Sequence, residues 1–314
     1  MTIKATFMKI MTSAWYRRLW TLQEAILSEN LAILFKEGFA LLPELLDQAA
    51  EAPQHFEDEH WDPVHMVILR EIRQLSGLHM KNLDIGKVSS MLSIRNSSRR
   101  GDESLAIAPL LGVDVQQLVD SIDAPARMRV FCQSVKDVPL NILTTDYPRL
   151  QEPGARALPS TMMGIQTWRY LDPYDKTASV TTRGLDGEYW VGRLPTPIKL
   201  STRSAVFVRE SQTQTSYCMW PYRGEGYPSE RAITFDAICH VKQPVVGPDG
   251  SRRTLTELRA AALLLLPNPP SSTDNNTFSF MGLLNADVVP PAQIDEVSIN
   301  TVEIRTSREC ITVT

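Results

Sequence analysis

Residues 15–24 read W-Y-R-R-L-W-T-L-Q-E, and no other stretch of the 314-residue chain is as specific. Apolar residues recur here at spacings of four, three and four, which places them on one face of a helix: Trp15, Leu19, Leu22 and Ile26. Thr12 or Ser13 can cap the first turn of this helix. The pattern therefore predicts a single amphipathic helix over residues 13–28, with its apolar face buried.

A second distinctive stretch, R-N-S-S-R-R-G-D-E-S-L-A-I-A-P-L-L-G, occupies residues 95–112. We favour a turn that begins at Ser97 or Ser98, with Arg95 or Arg99 paired to one of the acidic residues 102–103. The alternative is that the arginines hold a phosphate or a nucleic-acid backbone. Three arginines in six residues are too few for a basic patch on an acidic protein, so the turn is the preferred interpretation.

The two stretches together resemble the fungal heterokaryon-incompatibility (HET) domain. The R-x-W-T-L-Q-E motif of that family is matched by Arg18, Trp20, Thr21, Leu22, Gln23 and Glu24. The segment that often follows it in the family is matched by Arg95, Ser97, Ser98, Asp102, Leu110, Leu111 and Gly112. The likeness covers residues 12–120, and it implies a role in fungal non-self recognition and programmed cell death.

The opening part of the family pattern is not found in this sequence. HET domains begin with strings of the kind A-L-S-Y-x-W-G and W-I-D-x-x-C-I-N-Q, and neither string occurs here. We therefore expect a truncated domain, of which residues 1–138 are the C-terminal part. HET domains are similar to Toll/interleukin-receptor-type domains, some of which cleave NAD, so an NAD-cleaving enzyme is one alternative. The missing half would hold the nucleotide, and this favours a non-enzymatic protein.

The catalytic residues of such an enzyme are unassigned, and Glu24 is the one candidate. A carboxylate beside Trp20 on a half-buried helix has the setting of a functional acid. The competing interpretation, which we favour, is an ion pair between Glu24 and Arg17 on the same helical face.

Overall composition is that of a globular protein, with 43% apolar and 22% charged residues. The net charge of −4 gives no basic field for nucleic acid. The longest apolar run, residues 260–266, is far shorter than the roughly 20 residues that span a bilayer. Four cysteines without C-x-x-C spacing indicate a reducing compartment. We expect a cytoplasmic protein with no signal peptide, no membrane span and no nucleic-acid partner.

Periodicity along the chain predicts an α+β fold. Helical patterns fill the first region, at residues 40–51, 64–79, 85–94, 103–111 and 123–135. A Pro-rich connector at residues 139–165 follows, and residues 166–314 form a β-rich domain. Strands are predicted there at residues 179–182, 188–194, 205–209, 216–220, 233–241, 297–305 and 310–313. We also expect a hairpin turn at Asp186–Gly187, and one covering helix over residues 254–266.

Two groups of residues have side chains of the kind that bind metals. His55, His60 and His65 are spaced by five among acidic residues, a spacing that does not stack on a helix face. A solvated acidic loop is the favoured interpretation. The Cys239–His240 pair, with Cys218 and Cys310, is better explained as part of a sheet, because neighbouring side chains on a strand point to opposite faces. We therefore predict neither a metal nor a cofactor.

Our expectation about partners concerns the N-terminal apolar segment, residues 1–36. Without the opening strands of a HET domain, the apolar side chains of residues 1–36 cannot all be covered. We expect them to be the least well packed apolar segment and to bind a protein partner or a second copy of the chain. The alternative interaction surface is the β-rich half, through exposed strand edges.

The first testable prediction concerns the apolar face of residues 13–28. Replacing Leu22 with Ala removes buried methyl groups and leaves a cavity, so the free energy of unfolding should fall by about 2–5 kcal/mol. Urea unfolding of the two proteins measures this difference. An unchanged stability would contradict burial of this face.

Overall fold

The computed structural model describes residues 3–28, 30–36, 38–51, 83–121, 123–163, 176–201, 204–212, 215–222, 233–240, 260–265, 277–288 and 301–314. The chain divides into two compact units. Unit 1 comprises Met1–Arg127 and Met162–Gln166, and unit 2 comprises Met128–Thr161 and Thr167–Thr314. A helical N-terminal region precedes a sheet-rich C-terminal region, which confirms the α+β prediction. The domain boundaries that we placed at residues 138 and 165 stay predictions.

Helices make up most of the N-terminal region. In chain order they are α1 (Ile3–Thr12), α2 (Ala14–Arg17), α3 (Trp20–Leu27), α4 (Leu42–Glu51), α5 (Ile85–Leu92), α6 (Asp102–Ile107), α7 (Val115–Val119) and α8 (Ala124–Val135). A short hairpin of β1 (Ala32–Phe35) and β2 (Gly38–Leu41) separates α3 from α4. A 3₁₀ turn, Ala108–Leu111, continues α6. Four helix predictions are thus confirmed within a few residues, and the one over residues 64–79 lies outside the described residues.

The prediction of one helix over residues 13–28 is wrong, because the helix breaks between α2 and α3. Arg18 is extended, with ψ at 139°. The backbone N–H of Leu19 donates to the carbonyl of Asn96 at 3.0 Å, and the N–H of Asn96 donates to the carbonyl of Arg17 at 2.8 Å. These long-range bonds use backbone groups that would otherwise continue the helix.

Burial follows the predicted apolar face only in part. Leu19 and Leu22 are each 1% exposed, as expected, whereas Trp15 and Ile26 are half-buried. Leu27 is 64% exposed, so Leu27→Ala is a matched control for Leu22→Ala.

The spacing of Ile3, Phe7 and Ile10 is also typical of a helix, and this helix, α1, was not predicted. Both Phe7 and Ile10 are buried in unit 1.

A mixed sheet dominates unit 2. Its strands are β3 (Asp137–Pro139), β4 (Thr177–Val180), β5 (Leu185–Leu200), β6 (Val206–Glu210), β7 (Thr215–Pro221), β8 (Ile233–His240), β9 (Ala260–Leu265), β10 (Thr277–Val288) and β11 (Thr301–Val313). The strand order is β11-β6-β7-β10-β9-β8-β5-β4-β3. Inward side chains of six of these strands form the core, for example Val208, Tyr217 and Phe235.

The long strand β11 closes this sheet on itself. Residues 301–304 pair in parallel with β6, and residues 305–313 pair antiparallel with β5. Seven strands, from β11 through β6 to β5, therefore form a closed ring of hydrogen-bonded neighbours. Closure satisfies backbone groups that would otherwise stand at two open edges.

Several details of the predicted sheet are corrected. Residues 260–265, assigned to a covering helix, form strand β9 between β8 and β10, because a short apolar run fits a buried strand as well as a helix. Residues 254–259 lie outside the described residues. Residues 301–305 and 310–313, which we assigned to two strands, belong to one strand, β11, and residues 297–300 lie outside the described residues. Strand β10 was not predicted.

The hairpin turn predicted at Asp186–Gly187 is also misplaced. Both residues lie inside β5, and the turn occupies residues 181–184, where the N–H of Thr181 donates to the carbonyl of Gly184 at 2.8 Å. Gly184 has φ at 146°, and a Cβ there would stand 2.3 Å from the carbonyl oxygen of Val313. Only glycine permits this approach between the turn and the end of β11.

The Pro-rich segment that follows α8 is packed within unit 2. Its anchor is Arg149, which is 5% exposed and donates to the carbonyls of Ala157 at 2.7 Å and of Thr145 at 2.6 Å. The guanidinium also lies 5.0 Å from the ring centre of Phe280 on β10. Tyr147, which precedes Arg149 by two residues in the sequence, is fully buried. Arg149 therefore links the backbone at Thr145 to the backbone at Ala157.

Within the described part of the chain, no helix has the length and apolar character that crossing a membrane requires.

The seam between β5 and β11 carries an ion pair. Arg193 donates to Glu309 at 2.6 Å, and the hydroxyl of Ser307 donates to the other carboxylate oxygen at 2.6 Å. Burial raises the pKa of Glu309, but the hydrogen bonds from Arg193 and Ser307 and the charge of Arg193 outweigh it. The net effect is a pKa below the ordinary value of 4.5. The charged carboxylate is thus favoured by folding.

This pair predicts a pH dependence of stability. A group whose pKa is lowered by folding stabilises the protein above its unfolded pKa, and this contribution is lost as the pH falls through the folded pKa. The melting temperature of Glu309→Gln should therefore lie below that of the wild type near neutral pH, and the gap should shrink below about pH 4.5. The matched control is Glu188→Gln, which alters the more exposed pair with Arg308 on the same seam. A difference in melting temperature that stayed constant on acidification would contradict the lowered pKa of Glu309.

Candidate functional site

The two distinctive stretches of the sequence meet in unit 1. Arg18 and Asn96 form an isolated parallel β-bridge, although they lie far apart along the chain. The side chain of Arg95 reaches across this bridge, and its Nη1 donates to the carbonyl of Arg18 at 2.9 Å and to Oγ1 of Thr21 at 3.1 Å. We call residues 16–21 with residues 95–102 the motif junction.

The centre of the motif junction is the buried guanidinium of Arg95. The residue is 2% exposed, and its guanidinium carbon lies 5.2 Å from the ring centre of Tyr16, which is equally buried. A charge removed from water is tolerated only where acceptors or an aromatic face replace the solvent. The Arg18 carbonyl, the Thr21 hydroxyl and the Tyr16 ring supply that environment here.

Thr21 links the arginine to the break between α2 and α3. Its hydroxyl oxygen lies 2.5 Å from the carbonyl oxygen of Trp15 and 2.7 Å from that of Arg18, so its single hydrogen is shared between these two acceptors, and it also accepts from Arg95. Ser13 caps α2 by accepting from the N–H of Tyr16 at 3.2 Å. Thr21 therefore adds a side-chain bond at the break, where the Trp15 carbonyl already accepts the backbone N–H of Arg18 at 3.2 Å.

The exposed rim of the junction is formed by Trp20 and Asp102. The indole Nε1 donates to Oδ2 of Asp102 at 3.3 Å, and Trp20 remains 39% exposed. Asp102 opens α6, where a carboxylate is favoured by the helix dipole. Its neighbour Glu103 is buried and accepts from the backbone N–H of Met162 at 2.7 Å. Sequence reasoning did not find the Glu103 contact, since nothing in the pattern points to residue 162.

The remaining motif residues lie around this centre. Leu22 is buried, Gln23 is half-buried, and Ser98 is exposed. The predicted turn begins at Ser97, whose Oγ accepts from the N–H of Arg99 at 3.2 Å. Arg99 and Arg100 are both exposed.

Glu24 lies on the solvent side of α3. The residue is exposed, and among the described residues its carboxylate forms neither a hydrogen bond nor the predicted ion pair with Arg17. The break at Arg18 explains this, because Arg17 and Glu24 belong to different helices and no longer share one helical face. The ion-pair prediction is therefore wrong, and a catalytic role for Glu24 stays a hypothesis.

The candidate metal ligands do not converge in the described part of the chain. No group of three or more His, Cys, Asp or Glu side chains suited to a metal ion occurs there. His55, His60 and His65 lie outside the described residues. Cys239 and His240 are on β8, Cys218 is on β7 and Cys310 is exposed on β11.

A cavity of about 450 Å³ lies beside the hairpin of unit 1. Its lining is mainly apolar and comes from α1, the start of α2 and the first strand of the hairpin: Lys9, Ile10, Ser13, Trp15, Leu31, Ala32, Ile33, Leu34 and Phe35. This volume falls within the range of about 300–1,000 Å³ that is usual for ligand clefts. The cavity was not predicted from the sequence, in which the apolar character of residues 1–36 is the one feature that points to it.

Large exposed apolar side chains concentrate in the first forty residues of the sequence. Of the six in the described part of the chain, five fall between residues 8 and 39: Met8, Trp20, Leu27, Leu34 and Phe39. Leu34 is 83% exposed and Phe39 is 72% exposed. The same segment also holds buried apolar side chains, those of Phe7, Ile10, Tyr16, Leu19 and Leu22, so the expectation that residues 1–36 are the least well packed apolar segment stays a prediction. Binding of a partner there stays a prediction.

Comparison with known proteins gives no relative. No family model matches the sequence, and neither a curated protein nor a solved structure matches it.

The geometry of the motif junction predicts that substitutions at two nearby arginines, Arg95 and Arg99, change the stability of unit 1 by very different amounts. Arg95→Met removes a hydrogen-bonded buried cation, so the free energy of unfolding of unit 1 should fall by about 1.5–3 kcal/mol. Arg99→Met alters an exposed side chain and should change it by less than about 0.5 kcal/mol. Guanidinium unfolding followed by tryptophan fluorescence measures both. Equal stabilities for the two variants would show that Arg95 does not hold the junction together.

Proposed function

We propose that this chain is a HET-like protein of fungal non-self recognition and programmed cell death, located in the cytoplasm. It acts through contacts with other proteins and not through catalysis of its own. The observation that carries the proposal is the motif junction, in which the two stretches that resemble the family share hydrogen bonds.

The motif junction brings together two segments that lie far apart in the sequence. Arg95 and Arg18 were matched to the family as separate motifs, 77 positions apart. A chance likeness gives no reason for both motifs to meet, whereas a common structural unit does. The contact involves the residue types that define each motif, the arginine of the second and the threonine of the first.

The exposed apolar residues of the N-terminal region support a role in protein contacts. Large apolar side chains that remain in water mark surfaces that bind other proteins when they cluster. Leu34 and Phe39 are cross-strand partners in the hairpin, so their exposed side chains lie side by side. The β-rich half draws less support as an interaction module. Its seven-stranded ring is closed because β11 pairs with both β5 and β6, and the branch beyond β5 ends in the three-residue strand β3.

Expression of the full chain in a filamentous fungus tests the proposal. An inducible promoter drives the wild type, and cell death is scored with a vital dye at matched protein levels. We expect growth arrest and dye uptake with the wild type and with Arg99→Met. Trp20→Phe, which removes the indole donor to Asp102 while keeping an aromatic ring, should weaken the effect.

The same cultures separate the alternatives. NAD is measured before and after induction, and Glu24→Gln is included. Cell death with unchanged NAD levels supports the non-enzymatic proposal. Loss of NAD that disappears with Glu24→Gln favours the NAD-cleaving enzyme, and unaffected growth with all proteins overturns the proposed function.

A further inference from the structure

Four exposed arginines lie on the two segments that meet at the motif junction: Arg17, Arg18, Arg99 and Arg100. In the described part of the chain, none of their guanidinium groups takes part in a hydrogen bond or an ion pair. In unit 2, by contrast, Arg129, Arg193 and Arg308 each pair with a glutamate. The four charges of the junction are therefore available to a ligand.

Backbone hydrogen bonds hold these arginines close together. The N–H of Asn96 donates to the carbonyl of Arg17 at 2.8 Å, and Arg18 is the bridge partner of Asn96. Residues paired across a bridge project their side chains to the same face, and both Arg18 and Asn96 are exposed. Consecutive Cα atoms lie about 3.8 Å apart, so Arg99 is within about 12 Å of Asn96. The fold thus brings together two pairs of charges that no local window of sequence contains.

An exposed apolar face adjoins the arginines on α3. Trp20 and Leu27 are seven positions apart, so they lie on one face of this helix, and both are exposed. The indole of Trp20 also contacts Asp102, which follows Arg100 by two residues. We call the four arginines together with Trp20 and Leu27 the arginine patch.

Acidic residues at the arginine patch restrict what it can bind. Glu24 is exposed between Trp20 and Leu27 on α3, and the carboxylate of Asp102 lies 3.3 Å from the indole nitrogen of Trp20. A nucleic acid carries a negative charge on every phosphate and would bring like charges against these carboxylates. A protein segment can instead place carboxylates opposite the arginines and uncharged side chains opposite Trp20, Glu24 and Leu27.

We propose that the arginine patch binds an acidic segment of a partner protein, in which apolar side chains lie among the carboxylates. The planar guanidinium of arginine donates two parallel hydrogen bonds to a carboxylate, which lysine does not match. Tryptophan and arginine are also the residue types that most often dominate the binding energy of protein interfaces. The proposal deepens the proposed function and rests on it for the existence of a partner.

Fluorescence anisotropy with labelled polymers tests the proposal on the purified full chain. The main probe is a random copolymer of glutamate and tyrosine, which offers carboxylates together with aromatic rings. Poly-glutamate of the same length offers the charge alone. Single-stranded oligo(dT) of similar net charge represents nucleic acid.

Two double variants each remove the charge from one segment of the arginine patch: Arg17→Gln/Arg18→Gln and Arg99→Gln/Arg100→Gln. The matched control, Arg156→Gln/Arg305→Gln, removes the same charge from two exposed arginines of unit 2. Because every substituted side chain is exposed, urea unfolding should give the stability of the wild type for all three variants.

We expect the copolymer to bind each patch variant about tenfold more weakly than the wild type, because two of the four charges are lost. The control variant should bind within about twofold of the wild type, since exposed charges beyond about 8 Å are screened by physiological salt. Leu27→Ala should weaken binding of the copolymer and leave binding of poly-glutamate unchanged, because only the copolymer carries apolar groups.

Four results would overturn the proposal. One is that the copolymer does not bind, and another is that the control variant weakens binding as much as the patch variants do. Tighter binding of oligo(dT) than of the copolymer would assign the patch to nucleic acid. A wild-type dimer in light scattering that Arg17→Gln/Arg18→Gln dissociates would make a second copy of the chain the occupant.

Failure of this inference is distinguishable from failure of the proposed function. Copolymer binding that depends on the patch, without cell death in the fungus, would remove the HET-like role and leave the binding site in place. Cell death that neither double variant reduces, with no copolymer binding, would retain the role and remove the patch. Arg99→Met alone removes one of the four charges and should weaken binding less than about fivefold, so cell death is still expected with that variant.

Discussion

A guanidinium group withdrawn from water requires hydrogen-bond acceptors at fixed positions, and this requirement shapes the N-terminal region. Arg95 takes the carbonyl of Arg18 and the hydroxyl of Thr21, and it lies against the ring of Tyr16. The chain leaves the helix at Arg18, and the carbonyl of this extended residue accepts from both Arg95 and Thr21. The break in turn sets the start of α3 and brings Trp20 to the first turn of α6.

Much of the helical region follows from local patterns, and the exceptions have physical causes. Apolar spacing marks the helices within a few residues, and at residue 123 an N-cap aspartate also marks the start of one, because both signals act within a few residues. The break at Arg18 depends on residues 95 and 96, which no local window contains. The same reason explains why the sequence suggested a Glu24–Arg17 pair that the structure does not form.

The sheet was harder to anticipate. Residues 260–265 are apolar throughout, and such a run suits a buried strand and a buried helix alike. The Asp186–Gly187 pair has the composition of a turn, yet the turn lies earlier, at Gly184, where the carbonyl of Val313 leaves no room for a side chain. Of the candidate site, the sequence identified the residues of the motif junction but not their contacts, and it gave no sign of the strand edge at β1. That edge depends on how β1 is paired, which among the described residues is with β2 alone, and such pairing is a property of the fold and not of any one residue.

Closure of the sheet by β11 also bears on how the protein is made. Residues 193 and 305 are paired, although they lie 112 positions apart in the chain. On a ribosome, β5 therefore emerges long before the strand that covers it, and at about 5–20 residues per second the delay is on the order of ten seconds. During that interval the nascent chain carries a long strand with an open edge, which is a substrate for chaperones and a risk for aggregation. Slow codons between residues 200 and 300 would prolong this exposure, so the yield of folded protein depends on translation speed as well as on stability.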